Sequence, residues 1–330
     1  MNNPLVSVLM PVHNDQDFLS HSIDSILNQS YPNFEYIIIN DFSTDKSDGI
    51  IRKYKNADSR IKYLQNKSHL EISKTLNIGI NACKGKYIVR MDADDISHEN
   101  RIEKQVHFME SNPDIGVCGS QASLFGDRKG SFFLSFYKEH IDLKVVLILG
   151  SAIIHPSAII RSSILKENNI RYNEQRKYAE DAELWYRISK YSKLANLEES
   201  LIQYRIHETN RSKIKQKLTQ RDMYLLRLEI LSELFPDQNI PDISEISNRY
   251  TDQLSLNKLI KLYKQIMYAN HKAKVYVDES ITKVFSKDIF NQLSSNKILK
   301  IGDFISYMRS PFLWRGEVKI NDWVYRFFKK

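Results

Sequence analysis

The feature that most limits what this chain can fold into is an alternation of two apolar patterns along its first two thirds. "LVSVLMPV" (5–12), "FEYIIIN" (34–40), "IKYLQN" (61–66) and "KYIVRMD" (86–92) are short runs rich in apolar and β-branched residues, the pattern of buried strands. Between them lie segments with helical spacing. In residues 16–30, Phe18, Leu19, Ile23, Ile26 and Leu27 share a face, and 47–56, 71–85 and 100–113 follow, the last stopped by Pro113. Strands alternating with helices of about 10–15 residues predict an α/β domain on a mainly parallel sheet. Sheets of this kind bind ligands beyond the carboxyl ends of their strands. Asp41, Asp92, Asp94 and Asp95 all fall at such ends, so one crevice is expected to gather them.

Charge divides the chain. Residues 1–209 carry 26 Lys+Arg against 27 Asp+Glu, and residues 210–330 carry 22 against 13, so the net +8 comes entirely from the last third. With 330 residues, one large domain and a smaller one fit, and the shift places them at 1–212 and 213–330. The opening "MNNPLVSVLMPVHND" has no basic leader, and Pro11 breaks its apolar run, so it reads as neither signal peptide nor anchor. Cys83 and Cys118 make no metal-ligand pattern and read as buried free thiols in a reducing compartment. A cytoplasmic protein is expected.

The stretch "YIVRMDADDIS" carries the sharpest chemical signal. Residues two apart on an extended backbone point the same way, so Asp92 and Asp94 can face one point. Converging carboxylates repel unless a cation lies between them, and a hard ion such as Mg²⁺ or Mn²⁺ takes oxygen ligands and shares them with phosphates. The plainer reading is an acidic turn in which Asp95 or Ser97 caps the helix starting near 98; Asp95 is expected to cap in either case. Asp41 has two readings as well: an acceptor for the N–H of a base such as uracil, or a cap working with Ser43 and Thr44. Pro11 to Asn14 add a rigid turn and an imidazole, His13, able to stack on a base. No Gly-x-Gly-x-x-Gly follows the first strand and no P-loop occurs, which disfavours a dinucleotide-binding dehydrogenase and a P-loop NTPase.

The ordered set "VSVLMPVHN", "FEYIIINDFSTDKS", "SKTLNIGINACKGKYIVRMDADDIS", "IIHPSAIIR" and "YAEDAELWYRI" resembles the family 2 glycosyltransferases of the GT-A fold, bacterial enzymes of surface-polysaccharide assembly, over roughly residues 4–212. The resemblance implies an inverting, metal-dependent transferase. A UDP-hexose or UDP-N-acetylhexosamine would be the donor, and a glycan or lipid-linked acceptor of O-antigen, lipooligosaccharide or capsule would receive the sugar. Pro11 and His13 match the turn that lines the base, where an aromatic residue is more usual than His13. Asp41 matches the aspartate reading uracil; the position before it, commonly Asp, is Asn40 here. Asp92 and Asp94 match the Asp-x-Asp signature, the first near the ribose and the second on Mn²⁺ or Mg²⁺. Asn14, Arg90 and Ala93 flank these positions and join the expected nucleotide-sugar-binding set. Lys74 falls in a helix near the nucleotide, and Glu71 stands where Gly is frequent.

The Glu180–Asp181 pair matches the acids that open the acceptor site, with Asp181 as general base for the attacking hydroxyl. Acids in a helix first turn are also favoured by the helix dipole alone. His207, in "QYRIHETNRSK", matches an element near the donor diphosphate and is a candidate donor and metal ligand; His155 is more easily a structural histidine. The C-terminal third is expected to be helical, with Leu256, Leu259, Ile260, Tyr263, Ile266 and Met267 on one face. Its aromatic and basic end, "FISYMRSPFLWRGEVKINDWVYRFFKK", suits either peripheral contact with an anionic membrane at the cytoplasmic face or an ordinary core. No nucleic-acid-binding signature accompanies the charge. The rivals are a sugar-nucleotide pyrophosphorylase, which would want a Gly-rich first loop, and a non-catalytic membrane-associated scaffold.

Overall fold

A computed structural model describes residues 3–127, 130–132, 137–208, 216–237, 239–249 and 254–295. The chain forms two compact units, Met1–His140 with Ser151–Asp222, and Ile141–Gly150 with the chain from Met223 on.

The first unit holds the sheet. Strands β1 (Val6–Val12), β2 (Phe34–Asn40), β3 (Ile61–Gln65) and β4 (Tyr87–Arg90) lie in the order β3-β2-β1-β4, all parallel. Every residue of β1, β2 and β4 is buried, as unbroken apolar strands require when both faces are covered. Helices α1 (Leu19–Leu27), α2 (Ser47–Ala57) and α3 (Ile72–Ala82) connect them. The pleat splits β1 between two faces. Val6, Val8, Met10 and Val12 join Ile23, Ile26 and Val106 in the main core, while Leu9 meets α3. There a Cβ on Gly79 would lie 2.2 Å from Leu9 Cδ1 and 2.8 Å from Ile39 Cδ1, so α3 packs this closely only because residue 79 has no side chain.

Beyond β4 the sheet becomes mixed. Strands β5 (Ile96–Ser97), β6 (Ile115–Gly126), β7 (Gly130–Phe132), β8 (Ile159–Arg161) and β9 (Lys193–Ile206) follow in the chain. β8 is antiparallel to both β4 and β6, β6 runs parallel to β9, and β5 and β7 pair antiparallel with β9 and β6. Six of the nine strands therefore share one direction, a mixed but mostly parallel sheet. Helix α4 (Arg101–Ser111) follows β5; α5 (His140–Leu149), α6 (Ser162–Glu167) and α7 (Glu180–Ile188) come later. Cys83 and Cys118 are free and buried, as expected.

The second unit is helical among its described residues. It takes α5 from the middle of the sequence, together with most of α8 (Gln216–Ser232), α9 (Ser244–Asn248), α10 (Leu256–Ala273) and α11 (Asp278–Ser295). The last carbonyls of α5 have no partner within the helix. Arg227 donates to them, to Ile148 O at 3.1 Å and Leu149 O at 2.9 Å, and Arg249 also donates to Leu149 O. Arg249 in turn pairs with Asp288 at 2.7 Å, whose other oxygen accepts the Tyr263 hydroxyl at 2.6 Å. Leu256, Leu259, Ile260, Tyr263 and Ile266 are all buried, so the apolar face of α10 is core. No helix of the described residues is long and apolar enough to cross a membrane. The aromatic and basic segment 304–330, on which the membrane reading fell, lies outside the described residues.

The side chains of Arg249 and Asp288 are 2% and 9% exposed. Replacing Arg249 by Met leaves Asp288 buried without a countercharge and should cost about 3–5 kcal/mol. Combining it with Asp288→Leu should recover only the part due to the unpaired carboxylate, because Leu149 O still loses Arg249 and the Tyr263 hydroxyl loses Asp288 as acceptor. Urea denaturation of the single and double variants measures both.

Candidate active site

The acidic loop after β4 is held from two sides. On one side the Ser22 hydroxyl donates to Asp92 O at 2.8 Å, and Ser25 Oγ accepts the Ser97 N–H at 3.0 Å. On the other side is the end of β9. The Arg205 N–H donates to Asp95 Oδ1 at 2.8 Å and its Nε to Asp94 O at 2.7 Å, while His207 Nε2 lies 2.9 Å from Asp94 Oδ2. Arg90, buried behind the loop, forms an ion pair with Asp92. Asp92, Asp94 and Asp95 each offer a carboxylate oxygen within 4.8 Å of the others. The expected cap is not made: α4 has no side-chain cap, because Asp95 turns inward to the backbone of β9 instead.

This arrangement is electrostatically costly. Asp95 is 1% exposed and its Oδ2 has no hydrogen-bond partner. Burial, with Asp94 and Asp92 beside it, holds its carboxyl well above the usual range. Asp15, which sequence reasoning passed over, joins the cluster. Burial first, then Asp94, pushes its pKa up to about 7, against the opposing His13 N–H at 3.1 Å. Four acids therefore converge, and burial among like charges raises the pKa of two of them, Asp15 and Asp95. Oxygen donors with one imidazole, an orphaned buried oxygen among them, are a donor set that suits Mn²⁺ or Mg²⁺.

A hollow of about 810 Å³ opens over this loop. Pro11, His13, Asn14, Asp41, Ala93 and His207 line it together with Asp92 and Asp94, so most of the expected donor-binding set is in one place. At its far end Asp41, 3% exposed, is fixed by its own chain: Oδ1 accepts Asn66 Nδ2 at 2.7 Å and the Leu70 N–H at 2.9 Å, and His69 Nδ1 lies 3.0 Å from Oδ2. The cap reading for Asp41 falls away, since Asn40 Oδ1 takes the Ser43 N–H at 2.8 Å. His13 Nδ1 lies 2.8 Å from Asp41 O, and a carbonyl only accepts, so that nitrogen carries the proton. His13 and His69 stack with centroids 4.0 Å apart. Although the two rings and Asp41 cluster closely enough for a metal, one ion cannot lie in the planes of two stacked rings.

Backbone strain gathers here. Asn14, Phe42 and Glu71 have φ of 59°, 60° and 66°. Glu71 also has ψ 171°, a region essentially reserved for glycine that costs other residues about 1–3 kcal/mol. The chain thus keeps a glycine-type conformation at the position where the sequence resemblance implies glycine. Glu71 lines the hollow and pairs with Lys177 at 2.8 Å, a partly exposed contact of a kind that returns about 0–1 kcal/mol.

The acceptor-side acids are placed differently. Glu180 and Asp181 open α7, and neither lines the hollow. Asp181 Oδ2 accepts the Ser151 hydroxyl at 2.7 Å. Burial raises its pKa, while Ser151 and the Ala182 N–H pull it back. The charge of Arg90 reaches both Asp181 and Asp92, and Tyr172 lies in the field of all three. His155 Nε2 is 2.8 Å from the Tyr172 hydroxyl, a structural partner. Lys74 is exposed on α3 and is not on the wall of the hollow; its neighbour Thr75 is. Asp15, His69, Ser151, Tyr172, Tyr178 and Arg205 were not singled out from sequence. Asp15 stood next to the quoted "MPVHN", and Arg205 and Tyr178 stood inside the quoted "QYRIHETNRSK" and "YAEDAELWYRI", but His69, Ser151 and Tyr172 had no such signal.

Comparison with known proteins gives the family and the fold. The model of the family described as "Glycosyl transferase family 2" matches residues 7–168, from β1 through the acidic loop to β8 and α6. An uncharacterized glycosyltransferase of Haemophilus influenzae is 35% identical over 222 residues, 64% of this chain and 69% of that protein. Among solved structures, S. aureus TarS 1–349 in complex with UDP-GlcNAc superposes with a TM-score of 0.60 at 18% identity, over 88% of this chain and 89% of that one. Mannosyltransferase PcManGT from Pyrobaculum calidifontis, in complex with GDP-Man and Mn²⁺, gives 0.55 at 12% identity, over 96% and 86%. These two likenesses are of fold, and the fold is GT-A. The chain belongs to glycosyltransferase family 2.

Proposed function

We propose that the protein is an inverting, metal-dependent glycosyltransferase that moves a hexose or N-acetylhexosamine from a UDP-sugar to a hydroxyl of a glycan or lipid-linked acceptor in surface-polysaccharide assembly. One observation carries the metal dependence. Among the described residues the hollow is lined by seven carboxylates and three imidazoles, with no lysine or arginine. Such a wall repels a nucleoside diphosphate, itself an anion, and a cation between them would offset that repulsion. Asp92, Asp94 and His207 are the residues that would hold Mn²⁺ or Mg²⁺, which when bound neutralises charge growing on the leaving diphosphate. TarS is described with UDP-GlcNAc and PcManGT with GDP-Man and Mn²⁺, which supports a sugar-nucleotide donor and the ion.

The chain's own residues divide the remaining work. Asp41 Oδ2 keeps an acceptor site beyond His69 for a base N–H, and the His13 ring offers a stacking face. Arg90 fixes Asp92 in place. Asp181, its pKa raised by burial, lies off the wall of the hollow but shares the charge of Arg90 with Asp92. From that side it takes the proton of an acceptor hydroxyl as the hydroxyl attacks the anomeric carbon. The hydroxyl oxygen forms the new bond as the bond to the diphosphate breaks, so a single displacement inverts the configuration. Ser151 holds the carboxylate for that transfer. A place at the cytoplasmic face of the membrane fits lipid-linked acceptors, and the two-part division at 1–212 and 213–330 keeps all these residues in the first part.

Screening UDP- and GDP-sugars for hydrolysis, read as released nucleotide, tests the donor class; release from UDP-sugars only with Mn²⁺ or Mg²⁺ is expected. Asp181→Asn should keep UDP binding and lose transfer by about 100-fold or more, the scale of general-base effects. Near-normal turnover would assign the base elsewhere. Asp15 supplies a pH test. Its folded value of about 7 against 3.8 means the folded state binds more protons between those values, so metal-free stability should fall as pH rises from about 4 to 7. Asp15→Asn should flatten that slope in thermal melts.

A further inference from the structure

The loop between α6 and α7 is fastened at both ends. Asn77 on α3 accepts the Tyr172 N–H at 2.9 Å and donates to Tyr172 O at 2.9 Å. At the other end, Asp222 accepts the Tyr178 N–H at 3.1 Å through its carboxylate, and Arg176 lies 3.4 Å from its carbonyl. Between these anchors Lys177 reaches Glu71 at 2.8 Å, and the adjacent Tyr178 lines the hollow together with Asp92 and Asp94. Glu71 is itself on that wall, in a conformation that glycine adopts without strain. Glu71 Oε2 is buried and makes no hydrogen bond, so the Lys177 ammonium is its charge partner. What the side chain does is hold Lys177.

We propose that Glu71 and Lys177 form a clasp that positions the 172–178 loop, and Tyr178 with it, across the hollow, and that the clasp sets how tightly the nucleotide sugar is held. Both act as positioning residues through the loop. The proposal rests on the reading of the hollow as the donor site, and the test separates the two. Hydrogen–deuterium exchange on the ligand-free full chain reports the clasp, and calorimetry with UDP and Mn²⁺ reports its effect on the donor.

Exchange over 172–178 should quicken about threefold to fivefold in E71Q, E71G and K177M, the scale of a partly exposed ion pair, with β1 to β4 unchanged. UDP affinity in the presence of Mn²⁺ should fall by a similar factor, and the exchanged pair E71K/K177E should restore both. E71G should melt no lower than wild type, which distinguishes loss of the clasp from general unfolding. Unchanged exchange over 172–178 in all three single variants would overturn the clasp. Faster exchange with UDP affinity unaltered would overturn its link to the donor. A wild-type protein that binds no UDP, with the exchange effect intact, would overturn the donor reading and leave the clasp standing.

Discussion

Mutual repulsion among carboxylates at the carboxyl end of the sheet is the constraint on which the rest of the site depends. Asp92, Asp94 and Asp95 share one loop, and Asp15 approaches from the turn after β1. The fold spends contacts from α1, from Arg90 and from the end of β9 to keep them together. An exposed acidic turn would need none of these. The neighbouring carboxyls of Asp15 and Asp95 are displaced upward, and the shift marks negative charge held against its own electrostatic preference. Such a site is stable when something positive enters it.

The strained backbone has the same address. Asn14, Phe42 and Glu71 are three of the five non-glycine residues with positive φ among those described. Asn14 and Glu71 line the hollow, and Phe42 directly follows Asp41. Asn14 knits the turn after β1 to the loop after β2, accepting the Thr44 N–H at 2.8 Å and donating to Ser43 Oγ at 3.1 Å. Conformations this costly persist where the surroundings over-determine them. Here the surroundings are the two strand ends that carry His13 and Asp41.

The sequence made the parallel half of the sheet legible because its signals are local. β2 falls on the expected residues 34–40, and the ends of β1, β3 and β4 lie within a residue or two of their apolar runs. The acids after β2 and β4 followed from the rule for strand ends. What was not legible is non-local. β6 and β9, 12 and 14 residues long, pair in parallel through several register shifts, and nothing in either segment names its partner. The antiparallel pairing of β5 with β9, Ile96 against Gln203, then brings Arg205 and His207 onto the acidic loop. The capping role expected of Asp95 failed for the same reason, since the competing donor lies 110 residues away. Lys74 illustrates a different limit: the family resemblance put its helix near the nucleotide, but the face of α3 toward the hollow carries Thr75. Chain excursions escape composition too, as α5 leaves the first region to end on two buried arginines of the second unit.

The most direct test of the central claim is titration calorimetry of the intact protein with UDP, with and without Mn²⁺. Binding that develops only when the ion is present, and disappears in Asp94→Asn, is the expected result. UDP bound equally well in a chelating buffer would mean that the carboxylates crowd together for some other reason.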